Sequence, residues 1–235
     1  IIRVKYKYNI ENLMKWSWNM GEYYQWVNVD KKKYISPVDF GYGSKRWQTL
    51  HVANDFLCAL YKLLATDWAG DHIIWLGDEL PRLKSSDNVS LEILYRHTLE
   101  SGYSGSSGDT VDEMYTNISG TFKEAEEEVR DELEYYLSLI KQYGIRVDDP
   151  FKGFFSREGR DYLYTINHTK KVYFSLDITK VLYLNGSECD FANPLPILLS
   201  HGKSCNTGNW VGDEISTSDE IPKDYVFLTE IYLDW

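Results

Sequence analysis

Between residues 68 and 79 the chain reads WAGDHIIWLGDE, which places Asp71, His72, Asp78 and Glu79 around one short apolar run. Carboxylates and an imidazole are the side chains that hold a divalent cation, or that pair a general acid with a general base. Either use requires convergence. Asp71 and Asp78 are seven positions apart, roughly 23 Å along an extended strand, so they form a site only if the strand bends or other strands contribute. The simpler reading makes both Gly-Asp pairs turn residues, because Gly accepts positive φ and Asp bonds the backbone just beyond it.

Lysines supply the second group of candidates. Lys31, Lys32 and Lys33, with Lys170 and Lys171 later in the chain, stand beside Tyr34 and Tyr173, where they could clamp an anion. Lysines leading into a strand also guard a sheet edge against aggregation. Lys45 lies in DFGYGSKRW (39–47), whose glycines suggest a phosphate-cradling loop but which lacks the Gly-Lys-Ser/Thr ending. Lys31, Lys32 and Lys45 therefore join Asp71, His72, Asp78 and Glu79 as candidate ligand contacts. His201 and Cys205, four apart, would make a base and a nucleophile only with a third group to orient them. No G-x-S-x-G, H-E-x-x-H or C-x-x-C motif occurs. Cys58, Cys189 and Cys205 have neither zinc-site spacing nor an even count, so no metal and no cofactor is predicted, and a reducing, cytoplasmic setting is expected. Four Asn-x-Ser/Thr triplets begin at Asn88, Asn117, Asn167 and Asn185, a number that an Asn-, Ser- and Thr-rich chain reaches by accident.

The elements that must position these residues recur. EYYQWVNVDKKKYIS (22–36) aligns with DYLYTINHTKKVYFS (161–175) at a shift of 139, and the same shift carries Ala53-Asn54 onto Ala192-Asn193. WAGDHI (68–73) then meets WVGDEI (210–215) at 142, and DELP (78–81) meets DEIP (219–222) at 141. Ordered recurrence with so small a drift is the signature of a tandem duplication with loop insertions. Shared residues then build scaffold, and function is sought where the copies differ.

Within each copy, alternating β-branched and aromatic residues predict strands in RVKYKYNI, YYQWVNV, KKYISP and HIIWL, and again in LYTINHT, KVYFSLDI, VLYLN and DYVFLTEIYLDW. Val52, Phe56, Leu57, Leu60, Leu63 and Leu64 fall at helical spacing after a cap at Asn54 or Asp55. In the second copy Pro194 and Pro196 require any helix to begin at or after them. The tract SGYSGSSGD (101–109) reads as a mobile linker. Residues 121–144 read as a long acidic helix with a capping box at Thr121 and Glu124 and one apolar face through Phe122, Val129, Leu133, Leu137 and Ile140. The expected fold is α+β: two degenerate β-rich repeats, residues 1–100 and 151–235, each with a short helix, bridged by the Ser/Gly linker and long amphipathic helix of 101–150.

NVDKKKYISPVDFGYGSK followed by WAGDHIIWLGDE resembles an uncharacterised microbial and viral family with the pattern N-x-D-K-x-x-Y...F-G-x-G-x-K...W-x-G-D-x-I...G-D. Residues 24–80 carry the resemblance, through Asn28, Asp30, Lys31, Tyr34, Pro37, Phe40, Gly41, Gly43, Lys45, Trp68, Gly70, Asp71, Ile73, Gly77 and Asp78. The family has no assigned activity, so the resemblance implies a module and no mechanism. The second copy has LDITKVLYLN in place of the F-G-x-G-x-K segment.

Charge narrows the partners. With 36 acidic against 25 basic residues the net charge is −11, opposite to what neutralising nucleic-acid phosphates requires. No apolar run approaches the roughly 18 residues that cross a bilayer, and IIRVKYKYNIEN lacks the apolar core of a signal peptide. The leading expectation is a noncatalytic protein that binds another, basic protein through acidic and aromatic surface. The alternatives are a ligand- or metal-dependent enzyme using the first copy, and a structural subunit of a larger assembly.

Overall fold

β1 (Tyr24–Asn28) lies between β2 (Lys33–Ile35) and β3 (Asp71–Gly77), antiparallel to both, with Val27 facing Tyr34 and Ile74. β5 (Tyr164–Asn167) lies in the same way between β6 (Val172–Phe174) and β9 (Glu214–Ser218), with Ile166 facing Tyr173 and Ser216. Each facing pair of the second ladder reproduces one of the first, displaced by 139 residues in β1 and β2 and by 142 in β3. A further strand extends both ladders: β4 (Thr116–Asn117) runs parallel to β2, and β10 (Val226–Phe227) parallel to β6. These two-residue strands occupy the sheet edges, so the lysines of β2 and the turn before it do not guard an edge, contrary to one expectation.

The computed structural model describes residues 21–51, 54–80, 88–102, 106–122, 142, 163–189, 192–203 and 205–233. The strand expected over 3–10 and nearly all of the long helix expected over 121–144 lie outside them.

The two ladders are one sheet, in the order β10-β6-β5-β9-β3-β1-β2-β4, with β8 (Ser200–His201) pairing beside β3. They join where β3 and β9 meet antiparallel and His72 faces Glu214. Those two residues hold equivalent positions, so an approximate two-fold axis passes between them, as in the isologous interface of a dimer. The helices cross this axis. α1 (Asp55–Ala65) packs against β9, and α4 (Leu195–Leu199) packs against β3. Trp26, Ile73 and Trp75 from one half, Phe174 and Ile215 from the other, and Phe56, Leu60, Leu64, Leu195 and Leu199 from the helices form a single core. The two halves therefore share a sheet and a core and are not separate packing units.

Local chemistry sets the helix starts. Asn54 Oδ1 accepts the Leu57 N–H, and at the equivalent place Asn193 Oδ1 accepts the Leu195 N–H. Pro194 and Pro196 sit at the entry of α4, where no intrahelical N–H is needed.

On the opposite face, α2 (Val89–Ser101) and α3 (Ser107–Met114) are inserted between β3 and β4. Leu91, Leu94, Val111 and Tyr115 bury Val27, Val29, Ile74 and Leu76 there. At 106–109, the C-terminal end of the tract, a helix start stands where a linker was expected over 101–109. Ser106 and Asp109 form a capping box that starts α3, and Ser107 Oγ donates to the Gly77 carbonyl. A Cβ on Gly108 would stand 2.8 Å from Asp78 Cβ, so the small residues are there to let helix and strand touch. The second half has no such insertion, since only residues 219–225 join β9 to β10. β7 (Lys180–Tyr183) and β11 (Glu230–Leu233) form a separate two-stranded parallel sheet.

Candidate functional site

The turn after β1 explains most of the shared polar residues. Asn28 Oδ1 accepts the Lys31 N–H at 2.9 Å, its Nδ2 donates to Asp71 Oδ2 at 2.8 Å, and Lys31 Nζ lies 2.9 Å from the same oxygen. In the twin, Asn167 Oδ1 accepts the Lys170 N–H at 2.8 Å, its Nδ2 donates to Asp213 Oδ2 at 2.7 Å, and Lys170 Nζ pairs with that carboxylate. Gly70 and Gly212, at φ 79° and 89°, swing the chain so that each Asp enters its strand beside the Asn. Asp71 and Lys31 are thus half of a doubled Asn-Lys-Asp clamp. The bond to Asp71 holds the Lys31 ammonium above its ordinary pKa, and the neighbouring Lys33 holds the Asp67 carboxyl below its own.

The remaining sequence candidates disperse. His72 Nδ1 lies 2.9 Å from Asp30 Oδ2, which also accepts the His72 N–H at 2.6 Å. Lys32, at φ 51° like its twin Lys171 at 52°, reaches Glu100 of α2 at 3.5 Å. β3 runs unbroken from Asp71 to Gly77, so Asp78 and Glu79 lie at its far end from Asp71 and His72. Convergence of the four, on which the first-copy enzyme depended, is overturned: a paired seven-residue strand cannot fold its ends together. Asp78 Oδ1 accepts the Tyr23 N–H, and burial raises the carboxyl pKa, with Glu22 and Glu79 adding to the rise. Gly77 is not in a left-handed turn; a Cβ there would meet Glu22 Oε1 at 2.3 Å. Glu79 pairs with Lys203 at 3.2 Å. Lys45 extends toward Gly21, and its N–H donates to Gln48 Oε1. Among the described residues no three His, Cys, Asp or Glu side chains are grouped to hold a metal ion.

Tertiary packing assembles groups that spacing did not. At the far end of β3, Glu22 is buried, with Lys203 N–H donating to Oε1 at 2.7 Å and the Tyr24 hydroxyl 2.9 Å from Oε2. The same hydroxyl stands 3.2 Å from Cys205 Sγ. His201 Nδ1 is 2.8 Å from Thr207 Oγ1, and burial lowers its pKa against the opposing pull of Glu22. In the second half, His168, Ser216 and Tyr225 bond in series from three separate strands or their flanks. The only signal for them in the sequence is that two apolar positions of the first copy, Val29 and Ile74, become His168 and Ser216.

The first-half loop of 37–48, like the α2–α3 insertion, has no twin. Pro37 opens a 3-10 turn (Pro37–Phe40) and Gly41, at φ 76°, ends it. Ser44 O accepts the Tyr24 N–H at 2.7 Å, Trp75 Nε1 donates to Arg46 O at 3.4 Å, and Phe40 and Tyr42 pack on the core. The loop is fastened, yet it leaves Trp47 58% and Val38 62% exposed; Tyr23, just before β1, is 55% exposed.

The fold is therefore an α+β protein with a doubled strand ladder, two structural clamps and one aromatic loop confined to the first half. No known family profile, curated protein or solved structure matches the chain.

Proposed function

We propose that the chain is a protein-binding module in which a duplicated scaffold carries one docking surface, the loop of 37–48 with Tyr23. The carrying observation is Trp47: a large indole held out to solvent on a loop that hydrogen bonds tie to β1 and Trp75. Exposed aromatics on fixed loops give wide contact area at small entropic cost, which is why tryptophan is enriched among residues that dominate interfaces. A net charge of −11 favours a basic partner and speeds encounter with it. The matched ladders and the doubled clamp support descent of both halves from one module, and the loop is where one half departs. An odd number of cysteines, without disulfide-framework or zinc-site spacing, supports a reducing, cytoplasmic setting. Among the described residues no helix is long and apolar enough to cross a membrane.

The test is affinity capture with the whole chain at about 0.1 M and about 1 M salt, where the screening length drops from roughly 10 Å to 3 Å. A bound protein lost at high salt, and lost again with Trp47→Ala, is the expected result. Capture of nothing salt-sensitive, or of a partner indifferent to Trp47→Ala, overturns the reading.

A further inference from the structure

The second half carries a constellation that its twin lacks. Ser216 Oγ lies 2.7 Å from His168 Nε2, and His168 Nδ1 lies 3.1 Å from the Tyr225 hydroxyl. Ser216 sits within β9, facing Ile166 of β5. His168 immediately follows β5, where its N–H donates to the Glu214 carbonyl at 2.9 Å. In the first half these positions are Val29 and Ile74, both fully buried in the core beneath α2 and α3, and the Val29 N–H bonds the His72 carbonyl in the same way. The ladder is satisfied by two apolar side chains there. Polarity at His168 and Ser216 is a departure, and the two departures bond each other. Tyr225 has its counterpart in Tyr115, whose hydroxyl meets His97 Nδ1 at 2.7 Å, so the tyrosine is common to both halves and its use against a serine-bound histidine is particular to one.

We propose that Ser216 is a nucleophile activated by His168, with Tyr225 as the positioning residue, and that the second half accepts acyl or phosphonyl groups there. The geometry meets the requirement for an activated hydroxyl: nucleophile and base within hydrogen-bond reach, and a third group on the far imidazole nitrogen. With Nδ1–H donated to the Tyr225 oxygen, the Nε2 lone pair faces Ser216 and accepts its proton. Burial lowers the His168 pKa, which keeps the ring unprotonated near neutrality, and the Glu214 carboxylate opposes that shift, so it stabilises the imidazolium that forms on proton transfer. On an ester, Ser216 Oγ adds to the carbonyl carbon as His168 Nε2 takes the hydroxyl proton. The tetrahedral adduct then expels the alcohol, which leaves with that proton. Water, deprotonated by the same nitrogen, cleaves the acyl-serine to release the acid and restore the serine. This chemistry is independent of docking through Trp47.

The test uses an alkyl fluorophosphonate on the whole chain, with intact-mass and peptide mass spectrometry. Ser216 Oγ displaces fluoride at phosphorus, and His168 takes the hydroxyl proton. Expected are a single adduct on Ser216, its loss in Ser216→Ala, and labelling about 100-fold slower in His168→Gln, the low end of general-base contributions. Tyr225→Phe is expected to slow labelling less and to move its pH profile, which a merely structural tyrosine would not do. Ser216→Cys keeps a nucleophile in place and guards against misfolding of the other variants; its thiol should react with iodoacetamide faster than the exposed Cys58. No adduct on the folded chain, an adduct elsewhere that survives Ser216→Ala, or a Ser216→Cys thiol no faster than Cys58 each overturns the assignment and leaves His168 and Ser216 as a structural, part-buried polar pair.

Discussion

Replacing Asp213 by Ala removes the acceptor of a doubled device whose two copies differ in burial. Asn167 is fully buried and the Asp213 side chain is 6% exposed, so the Nδ2–H that now donates to Asp213 would lose its partner where water does not replace it. An orphaned buried donor costs about 1–3 kcal/mol. Lys170 adds little, because its side chain is 44% exposed and returns to solvent, where such a pair is worth about 0–1 kcal/mol. The sum is about 1–4 kcal/mol, with its middle near 2–3. Asp71 is 19% exposed, so water partly replaces it beside Asn28, and Asp71→Ala should cost about 1 kcal/mol. In urea unfolding, with a slope of about 2–3 kcal/mol/M, Asp213→Ala should lower the midpoint by about 1 M with the slope unchanged, and Asp71→Ala by under half of that. Asp213→Asn keeps an amide oxygen toward Asn167 and should recover most of the loss. Two results refute the reasoning: Asp71→Ala costing as much as Asp213→Ala, or Asp213→Asn costing as much as Asp213→Ala, which would make the charge rather than the hydrogen bond decisive.

Other perturbations follow from the same geometry. Gly70→Ala meets open space and should cost about 1 kcal/mol for its left-handed backbone, whereas Gly212→Ala also drives a Cβ to 2.6 Å from the Asn88 amide that caps α2, and should lower the thermal midpoint further. Gly108→Ala forces α3 away from Asp78 and should destabilise by about 1–3 kcal/mol in denaturant titration; a neutral result would restore the view of 101–109 as a linker. Mild acid should weaken the fold through three of its histidines. Burial lowers the pKa of His97, His168 and His201, so below about pH 6.5 the unfolded chain binds protons that the native one refuses. Their contribution is complete above that pH and is lost as pH falls through the folded values. Asp78 and Asp112, raised by burial, act in the opposite sense. Thermal midpoints should therefore fall between about pH 7.5 and pH 5.5, and a flat or rising profile would contradict the sign.

What the chain determined by itself was local. Alternation in YYQWVNV and HIIWL marks β1 and β3 because side chains of a strand point to opposite faces in turn, and here both faces are covered, Trp26 and Trp75 on one, Val27 and Ile74 on the other. Asn54 marks a helix start because its oxygen satisfies an N–H three residues on, and Pro194 and Pro196 mark another because neither can stand in a helix interior. The recurrence at 139 and 142 located equivalent strands because the Asn-Lys-Asp clamp and the left-handed Gly70 and Gly212 restrict substitution in both halves. β4 escaped notice because two residues are too few to show a period, and DYVFLTEIYLDW, read as one strand, holds two, β10 and β11.

Tertiary structure decided everything that depends on pairing between distant residues. Spacing along the chain says nothing about which ends of β3 meet other strands, so the Asp71, His72, Asp78 and Glu79 group dissolved, while Glu22, Tyr24 and Cys205 came together across 181 positions. The exchange of α1 and α4 across the axis at His72 and Glu214 has no local code either. Composition misread 106–109, since the small side chains that permit mobility in a free chain also permit α3 to lie against Gly77 and Asp78. The change of Val29 and Ile74 into His168 and Ser216 was visible as letters, but only the facing of β5 and β9 brings imidazole and hydroxyl to 2.7 Å.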